Sequence, residues 1–139
     1  MITREDFVNI ARSYIGTPYH HQGRVPGVGI DCGGVVVCAA KECGYIIDDM
    51  NDYACTPSHG SFVAAVKSRF IEISIDEIAL GDLMIFSFGF EPQHIAIISA
   101  VTPLTIVHTY THVGKVVENH LDLIWRKRLR GCYRLKGIE

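Results

Sequence analysis

The sequence predicts an α+β fold: N-terminal helices packed on a C-terminal antiparallel β-sheet. Amphipathic runs with cap residues fill the first half, short β-rich runs follow Gly81, and turn residues separate most of those runs. A chain of 139 residues forms one domain over 1–139, long enough to bury a single core.

The first helix starts at Thr3 and Asp6, an acidic variant of a capping pattern, and carries an apolar stripe of Phe7, Ile10, Ala11 and Tyr14. Gly16 and Pro18 stop it. From Gly16 to Gly29 the chain reads as a loop, with four glycines, two prolines and no periodicity. Asp31 can cap a second helix over Cys32 to Glu42, closed by Gly44. The Val35-Val36-Val37 run suits a buried strand as well, but a strand leaves Gly33-Gly34 and Gly44 without a role. A third helix is expected from Ser61 to Phe70, with Phe62, Val63, Val66 and Phe70 inward. Strands are expected over Leu83–Phe88, Ile95–Ser99, Thr105–Tyr110, Lys115–Glu118 and Cys132–Leu135.

Composition narrows the function classes. Hydrophobic residues make up 48% and charged residues 20%, which suits a folded globular chain. A net charge of −2 gives no electrostatic reason to expect nucleic acid as a partner. The basic cluster Arg126-Lys127-Arg128 with Arg130 reads as a solvated edge or turn. No apolar run approaches a membrane span, so membrane insertion is not expected. The first residues lack the pattern of a secretory signal, so synthesis is expected in the cytoplasm, with all five cysteines reduced.

Cys32 stands apart from the other thiols. It sits at a helix start, where the positive end of the helix dipole favours thiolate, and it follows a glycine-rich loop that a substrate backbone could approach. Cys38, Cys43, Cys55 and Cys132 read as small buried hydrophobes. A thiolate nucleophile needs a base, and the base an orienting group. His94 begins an apolar strand and shares a face with Ala96 and Ile98; on the next strand Ile106, His108 and Tyr110 share a face. One hairpin register sets His108 directly or diagonally opposite His94, and a slip of one residue separates them. The spacing thus permits a Cys–His–His arrangement without requiring it. Each histidine taken alone reads equally as a satisfied polar residue. A structural zinc site is the rival, but there is no Cys-x-x-Cys pair, and His108-x-x-x-His112 lies on a strand-like run. No metal or other cofactor is expected.

The ordered segments Ala11 to Tyr19, His21 to Arg24 and Asp31 to Val36 resemble the nucleophile region of NlpC/P60 peptidases. Gly81 to Phe86, Gln93 to Ile97 and Ile106 to Thr109 resemble that family's later segments. Val116 to Glu118, Trp125-Arg126 and Gly131 to Arg134 resemble the C-terminal pattern of the family's phage-encoded cell-wall peptidases. The resemblance implies a papain-like NlpC/P60 fold and hydrolysis of peptidoglycan stem peptides, typically between D-glutamate and a diamino acid. It implies Cys32 as nucleophile, His94 as base and His108 as orienting residue. By the same resemblance, Tyr19 assists at the oxyanion and Asp31 either binds the substrate's free amine or simply caps its helix. The run His20-His21-Gln22 departs from the aromatic residue many members carry there. The resemblance also makes phage tail proteins candidate partners, with a tail or tail-like particle delivering the enzyme to the wall; Tyr45-Ile46-Ile47 is one candidate docking segment. A structural tail-assembly protein, and a thiol amidase or acyltransferase acting outside the wall, are the alternatives.

Overall fold

The structure, a computed structural model, describes residues 2–50, 60–89 and 91–139. Cys55 lies outside them. Helix α1 spans Arg4–Ser13, and the Thr3 side chain caps it by accepting from the Asp6 N–H at 3.1 Å. Helix α2 spans Cys32–Glu42, with the Asp31 carboxylate accepting from the Gly34 N–H. The valine run is therefore helical: Val35, Val36 and Val37 are all buried, so packing outweighs their weak helix propensity. Helix α3 spans Ser61–Arg69 and buries Phe62, Ala65 and Val66.

Inside the expected loop, Arg24–Val25 (β1) pairs antiparallel with Gly29–Ile30 (β2), a two-stranded ribbon too short for any period to show in the sequence. The main sheet has six strands: Ile71–Ile73 (β3), Leu83–Phe86 (β4), His94–Val101 (β5), Leu104–His108 (β6), Val117–His120 (β7) and Leu129–Arg134 (β8). Their order is β3-β8-β4-β5-β6-β7 and every pairing is antiparallel. β3 has no counterpart in the sequence reading; its three residues form an edge strand with only Ile73 half-buried. β7 runs later than Lys115–Glu118, because it is a half-exposed strand whose polar residues hide the alternation.

Both faces of the sheet are covered. Leu83, Ile85, Ile95, Ile97 and Val107 pack beneath α1, α2 and α3. Met84, Phe86, Ala96, Ile98 and Ile106 form a second core with Leu121, Trp125 and Cys132. Trp125 belongs to α4, Leu123–Arg128, which Asp122 caps through the Trp125 N–H at 2.9 Å. The basic cluster is thus solvated, with Arg126, Lys127 and Arg130 exposed, but it forms the last turn of a helix and the start of an inner strand, not an edge or turn; six residues are too few to display helical periodicity. Asp82, fully buried, is held by Arg4 at 2.9 Å and Arg134 at 2.8 Å, fastening α1 to β4 and β8. Among the described residues no helix is long and apolar enough to cross a membrane.

Candidate active site

The N-terminus of α2 is fixed by close backbone packing. A Cβ on Gly34 would lie 2.5 Å from the Gly23 carbonyl oxygen and 2.7 Å from Ile30 Cγ1, so only glycine lets the helix start rest on the preceding loop. Asp31 reinforces the seat. Its buried carboxylate accepts from Gly34 N–H, Gln22 N–H and Arg24 Nη1, each at 2.8 Å, and Arg24 Nε reaches Asp49 at the same distance. This arrangement points the first residue of α2, Cys32, at β5, on which α2 packs.

His94 opens β5. Ile97 pairs with Val107 and Ile98 with Ile106, a register that places His94 and His108 on one sheet face in a diagonal relation. His94 Nε2 and His108 Nδ1 are 2.8 Å apart, and His108 Nε2 lies 2.6 Å from Asn119 Oδ1. Asn119 was not singled out in the sequence. It follows from the pairing of His108 with Val117, which sets Asn119 diagonally across on the same face. In the folded strand Asn119 is the inward residue between outward Glu118 and His120, a placement that appears only once β7 is paired.

The chain of bonds assigns the protons. Asn119 Nδ2 donates to the His120 carbonyl, leaving Oδ1 as acceptor for the His108 Nε2–H. His108 Nδ1 then accepts from the His94 Nε2–H, which leaves the lone pair of His94 on Nδ1. Phe86, Phe88, Tyr110 and Trp125 surround the two imidazoles at centroid distances of 5.0–5.7 Å. That jacket excludes water from the relay and strengthens its hydrogen bonds.

Cys32, His94 and Tyr19 open onto one cleft of about 470 Å³, whose other walls include Phe88, Gln93, Thr109, Tyr110, His112 and Arg128. Tyr19 is positioned by its own backbone, which donates to the Gly114 carbonyl at 2.9 Å and bridges to Ile30. Gln93 Oε1 and Thr109 Oγ1 are buried without hydrogen-bond partners. Asp31 does not line the cleft; its carboxylate faces the loop and the helix start.

Electrostatics at Cys32 differ from the sequence expectation. Burial, with a smaller contribution from Asp31, pushes its thiol up to about 12, although hydrogen bonds to Ile95 and Gly33 and the charge of Arg24 pull the other way. Desolvation therefore opposes the stabilisation that the helix terminus gives a thiolate. Burial likewise drives His94 well below its usual range, helped by His108 and Arg128, and takes His108 down to about 4 against the pull of Asn119. Burial thus opposes the charged form of both groups, the thiolate and the imidazolium. Among the described residues no group of three or more histidine, cysteine or acidic side chains could hold a metal ion.

A helix-borne thiol followed by strand-borne histidines on an antiparallel sheet is a papain-like order of elements. The chain belongs to the NlpC/P60 family, whose model matches residues 16–134. Among solved structures, an NlpC/P60 family protein from Bacillus cereus superposes with a TM-score of 0.75 at 18% identity, covering 96% of this chain and 40% of that one. A lipoprotein-like NLP/P60 protein from Staphylococcus aureus gives 0.72 at 20%, covering 95% of this chain and 41% of that one. The NlpC/P60 domain of the peptidoglycan hydrolase SagA gives 0.69 at 21%, covering 96% of this chain and 100% of that domain. At these identities the likeness establishes the fold. The chain spans about two fifths of the Bacillus and Staphylococcus chains. No curated protein matches the sequence.

Proposed function

We propose that the protein is a cysteine peptidase that hydrolyses peptidoglycan stem peptides, at the bond between D-glutamate and a diamino acid. One observation carries this reading: Cys32 and a histidine whose tautomer is fixed by His108 and Asn119 open onto the same cleft. Membership of the NlpC/P60 family, and the likeness to the domain of a named peptidoglycan hydrolase, supply the substrate class.

In this mechanism the proton leaves Cys32 for His94 Nδ1 as the sulfur attacks the substrate carbonyl, since burial opposes ionisation of either partner beforehand. The oxyanion is received by N–H groups of the first turn of α2 and by the Tyr19 hydroxyl. His108 accepts the Nε2–H of the imidazolium that forms and keeps the ring in place. His94 then protonates the leaving amine. A water, deprotonated by His94, attacks the thioester, releasing the new carboxylic acid and the free thiol. Asp31 serves this scheme as the cap that seats Cys32, since its oxygens already accept from three donors.

Delivery to the wall by a phage tail or tail-like particle is proposed on the sequence resemblance alone, and proteomics of purified particles tests it. The peptidase reading is tested by mass spectrometry of muropeptides before and after incubation with the protein. Expected are products one water heavier in sum than the stem peptide, split on the carboxyl side of the glutamyl residue; an unchanged muropeptide profile contradicts it.

A further inference from the structure

Arg128 is the only lysine, arginine, aspartate or glutamate among the described residues that line the cleft. Its position is built rather than accidental. The Arg128 carbonyl accepts from the Ser87 N–H at 2.8 Å, tying the end of α4 to the residue that follows β4. Its guanidinium carbon stands 5.2 Å from the Phe88 ring centroid and 4.9 Å from that of Trp125, a cation–π seat that holds the side chain against the cleft wall. No ion pair between described residues uses this guanidinium. A half-buried arginine whose planar fork pairs with no carboxylate among the described residues, in a cleft that none of their acidic side chains line, is suited to a planar anion brought by the substrate.

We propose that Arg128 determines specificity by binding a free carboxylate of the substrate beside the scissile bond. This rests on the peptidase reading and deepens it: the cleft selects acidic peptides over their amidated counterparts. The same cation opposes protonation of His94, so a carboxylate that neutralises it would also ease the proton transfer from Cys32. Binding of an acidic substrate and activation of the base are thereby linked.

Two carboxylates of a stem peptide fit this chemistry, the α-carboxylate of the glutamyl residue and that of the diamino acid. Calorimetric titration of the inactive Cys32→Ala protein separates them, using one peptide with both carboxylates free and two in which one or the other is a carboxamide. Amidating one position is expected to weaken binding about tenfold or more. Combining Cys32→Ala with Arg128→Met should shrink that penalty to about twofold or less, and Arg128→Lys should retain part of it. Circular dichroism checks that each variant folds, and the lysine variant keeps the comparison open should the methionine one fail. An amidation penalty unchanged by either substitution, no penalty at either position, or no binding of any peptide overturns the proposal. Because binding is read without turnover, intact discrimination by Cys32→Ala together with a wild-type protein that cleaves none of the peptides would overturn the peptidase reading and leave the role of Arg128 standing.

Discussion

His94 Nε2 and His108 Nδ1 meet at 2.8 Å only because β5 and β6 pair in a register that sets the two residues diagonally on one face. The bond occupies Nε2 of His94 and leaves Nδ1 as its open nitrogen. His108→Ala should lower kcat/KM on the order of 10²-fold, short of the roughly 10⁴ that mis-setting a triad histidine can cost. His108→Gln, which keeps a side-chain acceptor, should recover part of that loss. Steady-state kinetics on a defined stem peptide decide it, and wild-type turnover by the alanine variant would remove His108 from the relay.

Asn119 acts one step further out, as a positioning residue for His108. Asn119→Asp places a carboxylate 2.6 Å from His108 Nε2, in place of the amide oxygen now there, and a negative charge favours the imidazolium. The pKa of His108, now about 4, should rise, and the acidic limb of the pH–rate profile should move to higher pH with it. NMR titration of the histidine ring protons measures the shift directly. An unmoved His108 resonance would show that the asparagine does not govern its tautomer.

The same two histidines tie stability to pH. Both are held neutral by burial, with pKa values below the 6.5 of an exposed ring, so the unfolded chain binds more protons than the folded one in this range. Stability is therefore complete above pH 6.5 and declines as pH falls from there toward 4. Asp82, whose carboxyl is held below its usual 3.8, adds its own loss only at still lower pH. Thermal unfolding between pH 7 and 4.5 should show Tm falling for the wild type and falling less for His108→Gln.

Much of this was legible in the sequence, for identifiable reasons. The caps at Thr3 and Asp31 announce α1 and α2 because side chain and backbone satisfy one another locally, within three residues. Cys32 was legible for the same reason, since a helix start is a local property. The pairing of His94 with His108 was legible as one of two registers, the choice between them resting on long-range packing. Asn119 and α4 were not, because their roles come from strand β7 and from the burial of Trp125, neither of which a short polar segment displays. At Cys32 the helix dipole is legible in the sequence, whereas the desolvation that opposes it is a property of the packed whole.

Asp82 tests the framework beneath the site. Asp82→Ala leaves the Arg4 and Arg134 guanidinium groups facing a buried void without their counter-charge, and loss of one member of a buried ion pair typically costs about 3 kcal/mol or more. Urea unfolding should show a loss of that size, with activity retained well below the transition. A loss under about 0.5 kcal/mol, the range of ordinary surface substitutions, would contradict the role given to this triad.

Cys32 is the centre of the account, and the initial rate of stem-peptide cleavage by Cys32→Ala against the wild type tests it most directly. Removing a covalent nucleophile costs on the order of 10⁴–10⁶ in kcat, leaving only what binding and the oxyanion donors provide. The account predicts a loss of that size with the fold intact by circular dichroism; a Cys32→Ala protein that cleaves at the wild-type rate would contradict it.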